Sequence, residues 1–385
     1  MKKSFKRLVT VISAMALTIS SLGVTQAATA DQNLLNTYGA KYNRSGTCVN
    51  LYQLQNQSTL NTIKQRYNSI TLENEMKPDA LLGGSPTLIS VAEAKSLGYY
   101  IPSGYTESTV PKINFGTIDK VLKIAYDNGL GVRGHTLVWH GQTPAWLFKT
   151  GYNGGAGFVN QTVMNARMEF YIKTVMNHVY SSQYGSVVYA WDVVNEYLHS
   201  PSESGWLKIY GNISTSPQFV KDAFRYASET LSYYKLTDKV SLFYNDYNEY
   251  MEADNIVKMI KFINAEKKIC NGVGGQAHLA STFPSASYFK QAYTKFVNAG
   301  FEIQITEFDA GAKSEQEQAA YVYDVMKSVN ELKKAGGKFT GFTWWGLSDD
   351  TSWRRESSPL LYSNINTPKA SYYRTLDAFT DVFNR

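Results

Sequence analysis

A chain of 385 residues that is 43% hydrophobic and 18% charged can bury a sizeable core, in one large domain or two ordinary ones, and this excludes a disordered protein. The formal net charge of +6 includes four basic residues at the extreme N-terminus, Lys2, Lys3, Lys6 and Arg7, and without those four it falls to +2. A balance so near neutral implies neither nucleic acid nor an anionic membrane as a partner.

In chain order, the first element is an address rather than part of the fold. The basic start is followed by a largely apolar run from Leu8 to Ile19 and by Ala28-Thr29-Ala30, the small-x-small pattern of a signal-peptidase site. Residues 1–30 are therefore expected to be a secretory signal peptide, with the mature chain beginning near Asp31 outside the cell. The apolar run is too short to span a bilayer, and no second one follows, so no membrane segment is expected.

Short β-rich runs then occur at residues 46–50, 69–72, 131–135, 187–194, 240–244, 274–278, 303–308 and 339–345. Segments with helical spacing lie between them. Met164, Met168, Tyr171, Val175 and Val179 share one face, as do Ile256, Met259, Ile260 and Ile263, and Val322, Val325, Met326 and Val329. Eight strands alternating with eight helices predict parallel pairing and a single-domain α/β fold, a closed (β/α)₈ TIM barrel over residues 31–385. A doubly wound open sheet is the alternative, but neither GxGxxG nor a P-loop follows the first strand. Residues 81–114, rich in Gly, Ser, Pro and Tyr, form the longest insertion. Placed after strand two, they are expected on the C-terminal face of the barrel.

The strand ends carry the chemistry. Strand two runs into "ENEMKPDA" with Glu73, Asn74 and Lys77, and strand three yields "RGHTLVWH" with His135, Trp139 and His140. Strand four ends in Asn195 and Glu196, strand five in Asn245 and Asp246, and strand six in Gln276 and His278. Strand seven ends in Glu307 and Asp309, and strand eight in Trp344 and Trp345. Turns favour Gly, Pro, Asn, Asp and Ser, so Glu, His, Lys, Gln and Trp at seven successive ends exceed what turn chemistry requires. In a parallel barrel these ends meet on one face, where sites of this fold lie. The 28 tyrosines suit either an ordinary core or a wet surface that stacks on sugar rings.

Among the carboxylates, Glu196 and Glu307 stand on different strands and can oppose one another. Two opposed carboxyl groups are the equipment for glycoside hydrolysis, one protonating the departing oxygen and the other attacking the anomeric carbon or activating water. Glu307 and Asp309, two apart on a strand, point to the same side, and His278 on the adjacent strand can bridge them. That bridge would keep Glu307 ionised, while the charge of Glu307 would favour a protonated Glu196.

The motifs "ENEMK", "RGHTLVWH", "WDVVNE", "ITEFD" and the "SWR" at residues 352–354 appear in order, and with them the chain resembles the family 10 glycoside hydrolases, mainly endo-1,4-β-xylanases, over essentially all of its mature length. The resemblance implies a (β/α)₈ barrel and hydrolysis of xylan and xylo-oligosaccharides with net retention. It makes Glu196 the acid/base and Glu307 the nucleophile. It puts Glu73, Asn74 and Lys77 on the sugar at the non-reducing side of the cleavage point. His135, Trp139, Gln276 and Trp345 surround the ring being cleaved, Trp353 forms a second wall of the cleft, and Asn195 holds the sugar 2-hydroxyl. The insertion and the segment 348–351 depart from the common family pattern.

Three other readings are weaker. A metal-dependent hydrolase would use His135, His140 and His278, yet His135 and His140 are five apart, which on a regular strand turns them to opposite faces. A sugar-binding protein without catalysis would be expected to lack one carboxylate. A retaining β-1,4-glucanase on the same barrel is the nearest rival, but bulky indoles at Trp345 and Trp353 would crowd a C5 hydroxymethyl group. No cofactor, no metal and a monomeric state are expected. Cys48 and Cys270 could pair in an exported protein, but a large chain needs no such staple, and free, buried thiols are the expectation.

Overall fold

The computed structural model describes residues 32–384, so the leader expected over residues 1–30 and the start near Asp31 lie outside the described residues. Eight strands form the barrel: β1 (Ser45–Val49), β2 (Ser69–Leu72), β3 (Gly131–Trp139), β4 (Val188–Asn195), β5 (Ser241–Asp246), β6 (Gly272–Gly275), β7 (Glu302–Gly311) and β8 (Lys338–Trp344). Each pairs in parallel with the next, and β8 pairs with both β7 and β1, so the sheet closes without an edge. The outer ring comprises α1 (Gln57–Arg66), α2 (Gly116–Asp127), α3 (Gln161–Ser181), α4 (Gln218–Tyr233), α5 (Ala253–Ile263), α6 (Ala286–Asn298), α7 (Glu315–Lys334) and α8 (Ala370–Phe383).

The local sequence explains where these helices start and which way they face. Asn160, Ser285 and Ser314 cap α3, α6 and α7, their side chains accepting from the amides of Val163, Tyr288 and Glu317. The apolar faces read from spacing are the buried ones. Ile256, Met259, Ile260 and Ile263 of α5 are fully covered, as are Met164, Val175 and Val179 of α3.

The sixth strand departs from the expected 274–278. It ends at Gly275, the chain turns through Gln276 and Ala277, and a short strand His278–Ala280 resumes beside Asp309–Gly311 of β7. Ala277 has a φ of 56°, a left-handed conformation that no strand ladder tolerates. The turn places Gln276 and His278 at two different points of the barrel mouth.

The insertion that follows β2 stands apart from the cleft. It folds as a hairpin, Leu88–Ser90 with Thr109–Pro111, carrying the helix Val91–Ser96, and it lies along α3. The Tyr100 amide donates to Thr174 Oγ1 at 3.2 Å, and buried Arg167 donates to Glu107 Oε2 at 2.7 Å and to the Leu147 carbonyl at 2.6 Å. None of residues 81–114 lines the cleft at the barrel mouth. Cys48 and Cys270 are free and buried. Among the described residues no helix is long and apolar enough to cross a membrane.

Candidate active site

The C-terminal ends of the strands surround a cleft of about 460 Å³ lined by side chains from β2 through β8. Beneath it, the interior of the barrel is polar. Arg133 of β3 donates through Nη2 to Asp192 Oδ1 of β4 at 2.6 Å, through Nη1 to the other oxygen, and through Nε to Gln304 Oε1 at 2.9 Å. Asp192 also meets His135 Nδ1 at 2.9 Å. A bidentate Arg–carboxylate pair with its remaining donors satisfied tolerates full burial, and here it fixes the ring of His135 at the cleft floor.

Glu307, on β7, is 4% exposed. Asn245 Nδ2 donates to its Oε1 at 2.8 Å, His278 Nε2 lies 3.2 Å from its Oε2, and His135 Nδ1 is 3.9 Å from Oε1. Burial alone would push this carboxyl up, but His135, His278 and the Asn245 amide outweigh it and bring its pKa down to about 2. Burial likewise works against a charged His278, whose Nδ1 is 2.9 Å from Asp309 Oδ2, yet Asp309 and Glu307 raise it to about 10. Near neutral pH an imidazolium therefore donates to two carboxylates. Asp309 is held in turn by Trp353 Nε1 at 3.0 Å and by an ion pair with Arg354. The bridge expected from the two-residue spacing is present.

Glu196 sits across the cleft in a different setting. It follows the last residue of β4 with a left-handed φ of 57°, and its amide donates to the Asn245 carbonyl at 2.8 Å. Trp139 Nε1 donates to its Oε2 at 2.6 Å and Gln276 Nε2 to its Oε1 at 2.8 Å, with His140 Nε2 at 3.7 Å. The buried Asn195 links the two halves. Its Oδ1 accepts from Asn245 Nδ2 at 2.9 Å and Gln276 Nε2 at 3.2 Å, and its own amide NH₂ remains for a ligand.

One end of the cleft is a hydrogen-bonding cluster. Lys77 Nζ donates to Gln142 Oε1 at 2.8 Å and Asn74 Oδ1 at 3.2 Å, while lying 4.9 Å from the ring centre of Trp139. Glu73 stands beside them, its carboxyl raised by burial more than Lys77 lowers it. Two indoles differ in kind. Trp345 is 6% exposed and meets His135 at a steep interplanar angle of 78°, whereas Trp353 is 58% exposed and meets His278 at 68° with ring centres 5.0 Å apart. The first is a fixed wall and the second a free face for stacking.

The residues read as the carboxylate pair and its sugar contacts all border this cleft, and Asp309 holds one that does, whereas Trp344 turns away into the core against Tyr38 and Phe342. The reading of the two histidines needs correction: β3 is irregular between His135 and Val138 and ends at Trp139, so strict alternation does not reach His140, and His135 and His140 approach Glu307 and Glu196 respectively. Among the described residues no group of three or more His, Cys, Asp or Glu side chains is arranged to hold a metal ion. Sequence reasoning gave no role to Arg133, Asp192, Gln142 or Tyr247, and placed Asn245 only as a strand end. For the first two a signal existed, since a charge inside an otherwise apolar strand must find a partner.

A closed barrel whose mouth holds two opposed carboxyl groups, one ionised by a histidine bridge and the other held by an indole N–H and a carboxamide, defines a glycoside hydrolase site. The glycosyl hydrolase family 10 model matches residues 33–378, and the chain belongs to that family. It is 50% identical over 388 residues to endo-1,4-beta-xylanase A of Butyrivibrio fibrisolvens, covering 100% of this chain and 94% of that protein. A bifunctional endo-1,4-beta-xylanase of Ruminococcus flavefaciens is 33% identical over 88% of this chain, which spans only 33% of that longer protein. Among solved structures, the N-terminal CBM22-1-GH10 modules of a Clostridium thermocellum endo-1,4-beta-D-xylanase complexed with xylohexaose superpose with a TM-score of 0.76 at 30% identity, over 92% of this chain and 68% of that one. An endo-1,4-beta-xylanase from Caldicellulosiruptor owensensis gives 0.70 at 27% identity, over 89% and 99%.

Removing the bridge tests its electrostatics. In His278→Ala, Glu307 keeps its burial but loses a cationic partner, so its carboxyl should titrate well above the wild-type value of about 2. Carbon-detected NMR of labelled glutamate carboxyls reads this directly, and an unmoved titration would show that His278 does not hold the charge.

Proposed function

We propose that the chain is a secreted, monomeric endo-1,4-β-xylanase that hydrolyses internal β-1,4-xylosidic bonds of xylan with retention, using Glu307 as nucleophile and Glu196 as acid/base. The observation that carries the reading is the difference between the two carboxylates. Glu307 is ionised by three neighbours in a site that water barely reaches, while Glu196 sits beside neutral donors at the rim. A full-length relative at 50% identity that is named an endo-1,4-beta-xylanase supports the substrate.

The steps follow from this arrangement. A Glu307 oxygen attacks the anomeric carbon as the C1–O bond breaks, and Glu196 gives its proton to the departing 4-oxygen, leaving a glycosyl ester. Esterification removes the negative charge of Glu307, so Glu196, now ionised, takes a proton from water. The water oxygen attacks C1 from the face the leaving group vacated, the ester bond breaks, and two inversions give net retention. Asn195 offers its NH₂ to the 2-hydroxyl, a contact that strengthens as charge develops on the ring. Lys77, Asn74 and Glu73 orient the sugar on the non-reducing side, and Trp353 stacks on it.

Protein recovered from the medium should begin at Asp31, release reducing sugar from xylan far faster than from carboxymethylcellulose, and give the β anomer first in a proton NMR time course. Equal rates on the two polymers would favour a β-glucanase, an initial α product would mean inversion, and an intact leader would refute export.

Specificity rests on Trp345, which the rings of His135 and His278 hold in place. Trp345→Ala should open room for a C5 hydroxymethyl group and lower the ratio of xyloside to glucoside activity. A ratio that stays constant or rises would contradict the steric basis of selection.

A further inference from the structure

Glu249, three residues beyond β5, has no part in the steps above, yet it is a fully buried carboxyl close behind the site. Its Oε1 accepts from the Tyr293 hydroxyl of α6 at 2.7 Å, and its Oε2 has no hydrogen-bond partner. Tyr293, Asp246, Tyr250 and Tyr321 are titratable groups that face it. Burial lifts the Glu249 carboxyl to about 7, while the Tyr293 hydroxyl and the nearby amides of Glu249 and Ala277 pull the other way without prevailing. Below that value the group is a neutral acid, and its isostere is glutamine.

The pair touches one thing of consequence, the turn that ends β6. A Cβ on Gly275 would lie 1.9 Å from Tyr293 Oη and 3.1 Å from Glu249 Oε1, so the two polar groups rest directly on the backbone of Gly275. The turn they support is strained at Ala277 and is tied in front by the Gln276 amide to the Asp246 carbonyl at 2.9 Å. Its product is the aim of the Gln276 side chain, which donates to Glu196 at 2.8 Å. A left-handed alanine persists only where its surroundings over-determine it, and the Glu249–Tyr293 pair forms the rear of those surroundings.

We infer that Glu249 is a positioning residue for Glu196: held by Tyr293, it braces the Gly275–Ala277 turn and thereby fixes the Gln276 amide that orients the proton-donating carboxyl. The inference rests on the acid/base role proposed for Glu196. It predicts damage confined to proton delivery. Glu307 keeps Asn245 and His135, which lie on other strands, and His278 stays anchored to Asp309 at 2.9 Å, so attack on C1 is largely spared wherever the leaving group needs no proton.

The test compares xylan, a poor leaving group, with the phenol burst from an aryl xylobioside bearing an acidic phenol. Glu249→Ala should slow xylan cleavage up to about tenfold, the upper end of the loss expected for one misplaced hydrogen bond, and change the burst rate less than twofold. Glu249→Gln, assayed at pH 6, should restore the xylan rate and leave the burst unchanged. Tyr293→Phe, which keeps the ring and removes the hydroxyl, should reproduce the selective loss, and it decides the matter if Glu249→Ala does not fold. Equal loss on both substrates, or no loss on either, in the folded variants would overturn the inference. Glu196→Ala serves as the reference: its own failure to spare the burst would sink the acid/base reading, whereas a selective Glu196→Ala beside unselective Glu249 and Tyr293 variants would sink this inference alone.

Discussion

A negative charge kept in the interior of the barrel is the constraint on which the site depends. A buried carboxyl ordinarily picks up a proton, because the charged form loses its hydration. Glu307 does not, and what prevents it comes from three strands: Asn245 from β5, His135 from β3 and His278 from the segment after β6. Each of those partners is itself held. Asp192 and Arg133 fix His135, and Asp309 fixes His278 with Trp353 and Arg354 behind it. Closure of the barrel is therefore an electrostatic requirement as well as a packing one, since the register of neighbouring strands brings the donors within reach.

Glu196 shows the complementary design. Its partners are an indole N–H and a carboxamide, with one imidazole further off. These orient the carboxyl by hydrogen bonds to each of its oxygens. Two glutamates on one barrel face thus sit in contrasting surroundings, which suit the opposite tasks proposed for them. The amides of Asn195, Asn245 and Gln276 join the two settings in one hydrogen-bonded network.

Much of this was legible in the sequence, and the limits have physical reasons. Alternation of short β-rich runs with amphipathic ones predicted the barrel, and unusual residues at the strand ends marked its mouth. The Glu307–His278–Asp309 bridge followed from period-two geometry. Pattern could not foresee the break at Ala277, because a left-handed alanine has no compositional mark and is imposed by contacts with residues far away in the chain. The same limit hid the bend in β3 that brings His140 to Glu196. The course of the insertion depended on Arg167 and Thr174, partners on α3 that nothing in the insertion's own sequence specifies.

The division of labour between the glutamates is tested most directly by supplying an external nucleophile. With Glu196→Ala and an activated aryl xylobioside, azide needs no base and should intercept the glycosyl ester on Glu307, giving a β-glycosyl azide. With Glu307→Ala, no ester forms, and any azide adduct should be the α anomer from a single displacement. Azide products of the same configuration from both variants, or the two configurations exchanged, would contradict the roles assigned to Glu196 and Glu307.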